Sequence, residues 1–395
     1  MAHLPMDIVN ELFLRLPASS LVRFRLLSNP CFSLIDSPDF IASHLNRTLE
    51  TGDHLMVLLR YPRLLRMVYL DAPDKVSDVE HPLQAGGFTD VFGSCNGLIG
   101  LTNSPTDMAL FNPSTRKIHR LPIEPVDFPD CLITRKYVLY GLGYDSVNDD
   151  YKVVRIIQCK RKGDCGYPLE IKVFSLKSNS WKRIYLLFEV QLKFIYFYYH
   201  VLYRRGYGVL ASNSLHWILP RRQGVIAINS IIRFDLASEE FDIVGIPKDL
   251  FYEDNFDLGV LDGCLCAMSY HEFTHVDVWI KREHQDEGSW TKLFKVKKPE
   301  SVGSLDFMRP LLYSKDKSKV LLQINVGKLV WYDLASKSFE TLGIKDCEGS
   351  CSAELVVSSL VLGCKGDPRR ARENKMMQKS NKRDGFLSKG FKLKL

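Results

Sequence analysis

The chain has 395 residues, 46% of them apolar and 25% charged. That is enough for one large globular domain plus a small one, and it excludes a disordered or fibrous chain. The greasiest stretch, 184–203, is broken by Glu189, Gln191, Lys193 and His200 and reads as no membrane span. The N-terminus shows no secretion signal. The net charge of +7 is local, because residues 365–395 hold eleven Lys or Arg against three Asp or Glu and the body is near neutral. Ten cysteines without a secretion signal suit a reducing compartment, cytoplasmic or nuclear.

In chain order, Ile8, Val9, Leu12, Phe13 and Leu16 make one broad apolar stripe, with Pro5 and Asp7 suited to a first helical turn and Pro17 ending the helix. A second helix is predicted over 20–28, carrying Leu21, Phe24 and Leu27 and interrupted by Asn29-Pro30. A short helical piece follows over 31–35. Ser37-Pro38-Asp39 then reads as an N-cap, a first-turn proline and an early acid, opening a helix with Phe40, Ile41, His44, Leu45 and Leu49. About forty residues bury too little surface to stand alone. Such a unit docks on its own chain or offers an apolar helical face to a partner.

Residues 4–45 resemble an F-box, through Leu4-Pro5, the Ile8-Val9 and Leu12-Phe13 stripe, Arg15-Leu16-Pro17 and Ser20-Leu21-Val22-Arg23-Phe24-Arg25. The resemblance implies a three-helix unit that binds a Skp-type adaptor and, through it, a cullin ubiquitin ligase. It assigns Leu4, Pro5, Ile8, Leu12, Phe13, Leu16, Leu21 and Phe24 as adaptor-binding or interface-forming, with Leu12 and Leu16 as buried anchors. Where plant F-boxes carry Lys-x-Trp, this chain has Asn29-Pro30-Cys31-Phe32.

From about residue 49 to 364 the pattern turns to short β-branched and aromatic runs punctuated by Gly, Pro, Asn, Asp and Ser. Large apolar residues recur seven apart across polar turns, at Phe111 and Ile118, Phe174 and Trp181, Phe234 and Phe241, and Tyr332 and Phe339; Trp279 to Trp290 is a fifth copy with an insertion. Turn-then-strand units start at Asn96-Gly97, Asn213-Ser214 and Asp262-Gly263. The spacing is near that of kelch blades and predicts a β-propeller of six or seven blades; its drift leaves a two-sheet sandwich array as the alternative. The expected organisation is therefore an F-box over 1–48, a kelch-like propeller over 49–364 and a basic tail over 365–395.

Gly141-Leu142-Gly143-Tyr144-Asp145, Asp149-Asp150-Tyr151-Lys152-Val153-Val154 and Phe111-Asn112-Pro113-Ser114-Thr115 resemble the plant F-box-associated domain. Within that family, 102–107, 203–208 and 386–392 resemble members that repress plant defence. This implies a receptor that sends nucleotide-binding leucine-rich-repeat immune proteins to degradation.

Motifs for hydrolases, phosphate loops, dinucleotide binding and zinc proteases are missing, and so is any Cys-x2-Cys pair. The chain therefore reads as a non-catalytic specificity subunit, with no cofactor and no metal expected. Cys264, Cys266, His271 and His275 form a string that matches no common zinc module and reads as strand packing, with the histidines past a turn. The run 194–199 reads as a core strand. Tyr203, Arg204, Arg205 and Tyr207 read as a substrate-facing loop. Residues 368–383 allow a solvated helix, a two-part nuclear import signal at Arg369, Arg370, Lys382 and Arg383, or contact with nucleic acid or an anionic membrane; with two aromatics in the tail, no nucleic-acid partner is expected. A propeller that binds a small ligand or glycan, with no ligase role, is the alternative function.

Overall fold

The computed structural model describes residues 5–61, 64–80, 82–83, 89–127, 133–161, 169–185, 207–223, 226–246, 256–271, 274–282, 290–298, 305–325, 327–344 and 351–362. The N-terminal unit holds four helical segments, α1 (Met6–Phe13), α2 (Ala18–Phe24), α3 (Asn29–Ile35) and α4 (Pro38–Thr51). The second helix ends at Phe24, short of the predicted 28. Asn29-Pro30 starts the next helix rather than interrupting one, because a proline has no N–H to leave unpaired in a first turn. Ser28 caps α3, its Oγ accepting from Cys31 N at 3.3 Å. Ser37 caps α4 in the same way, accepting from Phe40 N at 3.2 Å, and Gly52 ends α4 at φ 63°.

The rest of the described chain is all β. The first three strands are β1 (Leu55–Arg60), β2 (Leu65–Tyr69) and β3 (Ala72–Val79). The second sheet is β4 (Asp90–Cys95), β5 (Leu98–Ser104), β6 (Asp107–Asn112) and β7 (Lys117–Arg120). The third is β8 (Ile133–Asp145), β9 (Asp150–Arg161), β10 (Leu169–Ser175) and β11 (Ser180–Ile184). The fourth is β12 (Val209–Ala211), β13 (Ser214–Gln223), β14 (Ile226–Asp235) and β15 (Phe241–Val244). The fifth is β16 (Phe256–Leu261), β17 (Cys264–His271), β18 (His275–Lys281) and β19 (Trp290–Lys297), and the sixth is β20 (Met308–Tyr313), β21 (Lys319–Ile324), β22 (Lys328–Asp333) and β23 (Phe339–Thr341). Finally β24 (Ser352–Val357) pairs with β1 and completes the first sheet.

Six four-stranded antiparallel sheets whose first strands face one another make a six-bladed propeller. Its core is divided among the blade interfaces. Phe92, Leu98 and Leu110 of blade two meet Tyr140, Leu142 and Phe174 of blade three. Leu139, Val154 and Ile171 of blade three meet Leu215, Trp217 and Phe234 of blade four. Gly141 and Gly143 lie inside β8; a Cβ on Gly141 would stand 2.7 Å from Leu215 Cδ1, so a larger residue there would have to displace that buried side chain of blade four.

The seven-residue spacing is the hairpin that joins the third and fourth strands of a blade. Phe111 pairs with Ile118, Phe174 with Trp181, Phe234 with Phe241 and Tyr332 with Phe339. The fifth residue after each first aromatic takes a left-handed conformation: Arg116, Asn179, Glu239 and Lys337, with φ between 51° and 60°. At three of these turns an Asx carboxyl or amide oxygen accepts two backbone N–H bonds, Asn112 from Ser114 and Thr115, Asp235 from Ala237 and Ser238, and Asp333 from Ala335 and Ser336. The Asn96-Gly97, Ser212-Asn213 and Asp262-Gly263 pairs all have positive φ and form two-residue turns between the first and second strands.

Because neighbouring strands alternate in direction, both kinds of turn lie on one face of the disc. The second strands end and the third strands begin on the other, where each blade's last strand also ends. The helical unit sits on the first of these faces. After β24 the chain runs through Ser358–Leu362 between the helices and blade two: Ala18 N donates to Ser358 Oγ at 3.2 Å, and Leu360 is buried among Phe13, Ala18, Leu21, Ile35 and Phe40. Asn112, fully buried, donates from Nδ2 to Ser359 O at 3.0 Å and Val361 O at 2.7 Å. Ser359 Oγ donates to Asn96 O at 2.7 Å. Gly97 lies so close beneath that a Cβ would come within 2.5 Å of Val357 O.

Two stability outcomes follow from these contacts. Asn112→Ala strips the donors from two buried carbonyls and the cap from its own turn, so urea unfolding of the full chain should show a loss of about 2–5 kcal/mol; an unchanged midpoint would show that this side chain does not hold the seat. His216 on β13 is buried, which pushes its pKa down from 6.5 to about 4 despite its contact with Val209 O. The unfolded chain therefore takes up a proton that the folded chain refuses between those values, and stability falls as pH drops through that window, by on the order of 3 kcal/mol. Burial lowers the pKa of His44 on α4 as well and adds in the same direction. His216→Gln should flatten the slope of stability against pH below 6.5, and an unaltered slope would remove His216 as its source.

Candidate functional site

The candidate adaptor-binding residues separate into two groups. Phe13 and Leu21 are buried, and Leu16 and Phe24 are half-buried in the same cluster around Leu360, with the Phe13 and Phe24 rings stacked at 5.6 Å. These four hold the helical unit together. Pro5, Ile8 and Leu12 are exposed, Ile8 by 46% and Leu12 by 51%, so Leu12 is not the buried anchor expected of it and Leu16 is only partly one. Leu4 lies outside the described residues. The helical period places Ile8 and Leu12 one turn apart on α1, pointing the same way, while Phe13 takes the inward side.

Two exposed apolar residues escaped the sequence reading, Met6, 45% exposed on α1, and Leu26, 79% exposed after α2. Leu27, expected on the second helix beside Leu21 and Phe24, lies past its end and is 67% exposed. Two adjacent leucines before Ser28-Asn29-Pro30 were the available signal, since a helix stopping at Phe24 leaves them uncovered. The Asn29-Pro30-Cys31-Phe32 stretch is ordered in α3: the Arg25 guanidinium pairs with Asp36 and lies 5.2 Å from the Phe32 ring centroid.

The helical unit is tied to the disc beyond the Ser358–Leu362 seat. His54 Nε2 lies 3.1 Å from Arg15 O, and Lys315 on the blade-six turn pairs with Asp53 at 2.5 Å. These ties leave the other face of the propeller clear of the helices. Of the expected substrate-facing residues, Tyr203, Arg204 and Arg205 lie outside the described residues, as does 194–199. Tyr207 bridges to Tyr140 in the inner ring and packs beside the core between blades two and three, so it belongs to the wall rather than to a loop tip. Arg369, Arg370, Lys382 and Arg383 are also outside the described residues.

The motifs shared with F-box-associated domains act as ties between blades. Lys152 Nζ donates to Leu236 O at 2.6 Å and pairs with Asp145 and Glu239, each at 3.0 Å, joining blade three to the turn of blade four. Burial alone would lower its pKa, but those two carboxylates hold it above the ordinary lysine value. Arg155 and Glu170 form a fully buried pair at 2.9 Å, and Arg155 Nη1 also donates to Pro105 O and Glu124 O. No arm of these networks presents a free base to solvent. Burial pushes the Cys95 and Cys266 thiols up to about 12, the opposite of what a nucleophile requires.

The cysteine–histidine string does not form one site. Cys264 and His271 stand at opposite ends of β17, seven residues of extended strand or roughly 23 Å apart. His271 is the last residue of that strand rather than past the turn; only His275 is beyond it. The two histidines instead meet Asp277. Among the described residues, no helix is long and apolar enough to cross a membrane.

Comparison with known proteins agrees with this division of labour. The F-box domain family matches residues 1–43, and the F-box associated beta propeller domain family matches residues 69–361. F-box protein At4g22390 of Arabidopsis thaliana is 64% identical over 405 aligned residues, covering 100% of both chains. F-box protein CPR1 of the same plant is 61% identical over 414 aligned residues, again covering 100% of both. F-box/kelch-repeat protein At3g23880, also from Arabidopsis thaliana, is 26% identical over 91% of this chain and 95% of its own. The chain belongs to the plant F-box proteins that carry an F-box associated beta-propeller domain.

Proposed function

We propose that this protein is the specificity subunit of a Skp–cullin–F-box ubiquitin ligase. Ile8, Leu12 and their neighbours take the adaptor, and the propeller face turned away from the helices takes the target. The observation that carries this reading is the sorting of the F-box stripe: half of it closes around Leu360, and the other half stays uncovered on a unit fixed to the disc. Catalysis is left to the partners. The protein raises the local concentration of a target lysine at the conjugating enzyme. By its likeness to CPR1, the target class is the nucleotide-binding leucine-rich-repeat immune receptor, and the role is restraint of plant defence. The working compartments are the cytoplasm and nucleus, with Arg369, Arg370, Lys382 and Arg383 as import signal.

Exposure makes the test specific. Ile8→Ala with Leu12→Ala should leave the unfolding midpoint of the isolated chain nearly unchanged, within about 0.5 kcal/mol. Co-purification with a Skp-type adaptor should fall about thirtyfold, the equivalent of a 2 kcal/mol contact. Leu21→Ala, a buried position, should instead cost about 2–5 kcal/mol of stability. Undiminished adaptor capture by the double variant would overturn the assignment. For the target, proximity labelling in plant cells compares the whole chain with one lacking residues 1–45. Immune receptors should be labelled by both and accumulate only with the truncated form; receptors absent from both sets would remove that target class.

A further inference from the structure

The β17–β18 hairpin of blade five brings three metal-competent side chains to one point. In its register Ser269 is opposite Asp277 and His271 is opposite His275. Residues two apart on a strand share a face, so all four lie on the same side of the sheet. Their donor atoms converge. His271 Nε2 is 3.1 Å from Asp277 Oδ2, His275 Nε2 is 4.0 Å from the same oxygen, and the three ligand atoms lie within 4.8 Å of one another.

The two imidazole rings are stacked, 4.4 Å between centroids and 17° between planes, and offer the same edge to the carboxylate. Thr274 Oγ1 sits 2.9 Å from His275 Nδ1. When Nδ1–H donates to that hydroxyl, the Nε2 lone pair faces Asp277, the orienting contact that ligating histidines ordinarily have. Asp277 has only 5% of its side chain exposed, and its Oδ1 accepts no hydrogen bond among the described residues. A carboxylate so placed calls for a cation. At present two ammonium groups answer it: Lys292 Nζ contacts Oδ2, and Lys295 Nζ stands 3.9 Å from Oδ1. Both lysine side chains are more than 40% exposed, so either can swing into solvent. While it contacts Asp277, Lys292 Nζ lies 5.5 Å from the Trp279 ring centroid.

We propose that His271, His275 and Asp277 bind a divalent first-row transition ion, with zinc as the best match, in competition with the Lys292 ammonium. Two imidazoles and one carboxylate are a donor set for such ions rather than for magnesium or calcium. Tetrahedral bonds of about 2.0–2.1 Å place donors about 3.4 Å apart, so the observed separations need only small ring movements. Three protein ligands leave a fourth position. The histidine side chains are 30% and 22% exposed, which opens that position to solvent on the propeller face away from the helices. Cys264 and Cys266 take no part.

The test uses the purified full-length chain, stripped with a chelator and then dialysed against zinc alone, with bound metal counted by atomic emission. One equivalent should bind, and His271→Ala or His275→Ala should weaken it roughly a hundredfold. Lys292→Met should tighten binding about tenfold, a gain that misfolding cannot produce. Cobalt in place of zinc should give ligand-field bands without thiolate charge transfer. Failure to retain zinc, retention unchanged in both histidine variants, a Lys292→Met affinity no higher than wild type, or a cobalt–thiolate band would each overturn the site.

Discussion

The pairing of β24 with β1 is the contact on which the rest of the molecule depends. It joins Ser352–Val357 to Leu55–Arg60, nearly three hundred residues apart in the chain, and turns an open row of blades into a closed ring whose inner edges are short and protected. Arg309 on β20 reinforces the seam, pairing with Glu354 at 3.3 Å and donating to Ala353 O. Such a closure spans a very long stretch of chain and carries the corresponding loop entropy. It also fixes where the chain goes next. Five residues beyond β24, the backbone is already under Asn112 and against the F-box, and the helical unit completes its core with Leu360. The helical unit is thus supported by the segment that follows the strand pair closing the propeller.

The polar groups most tempting as chemistry serve this architecture. Lys152 and Arg155 are buried cations three residues apart on β9; each pairs with a carboxylate of its own blade, Asp145 or Glu170, and gives further hydrogen bonds to a neighbouring blade or to the connection before β8. Desolvating a charge costs several kcal/mol unless geometry satisfies it, which makes such residues weak sources of net stability but strong sources of specificity for one arrangement. Here they fix how one blade is seated against the next. Apolar packing alone, in which Leu, Val and Phe repeat from interface to interface, would specify that less strictly.

What the sequence disclosed was local. The seven-residue spacing was legible because an aromatic, its turn and its cross-strand partner occupy eight consecutive positions, as from Phe234 to Phe241. Asn96-Gly97 and Asp262-Gly263 were legible because a two-residue turn with positive φ restricts residue choice so sharply. Pro30 was misjudged because a proline ends one helix and begins another with equal ease, and only the Ser28 cap decides between them. The joint between Asn112 and Ser359 lies beyond such reading, since its partners are 247 positions apart. Blade number was open because drift in loop length hides the count, whereas ring closure fixes it at six. At the hairpin of blade five, the sequence placed His271 near His275 but gave no register, and without register Asp277 could not be seen as the third member.

A ligase receptor has to hold two partners at a set distance, and under the proposed function the two faces of the disc divide that work. The adaptor side is a small helical unit that could not fold firmly alone. It is secured by Leu360, by the Ala18–Ser358 hydrogen bond and by the Asp53–Lys315 pair, all from the propeller. The opposite face is the one where second strands end and third strands begin. On that face the turn at Pro105 and the segment 121–127 are held by Arg155 and Lys172, so they belong to the frame that seats blade three. In the proposed function the target is read on that face, and the adaptor is met on the face that carries the helices.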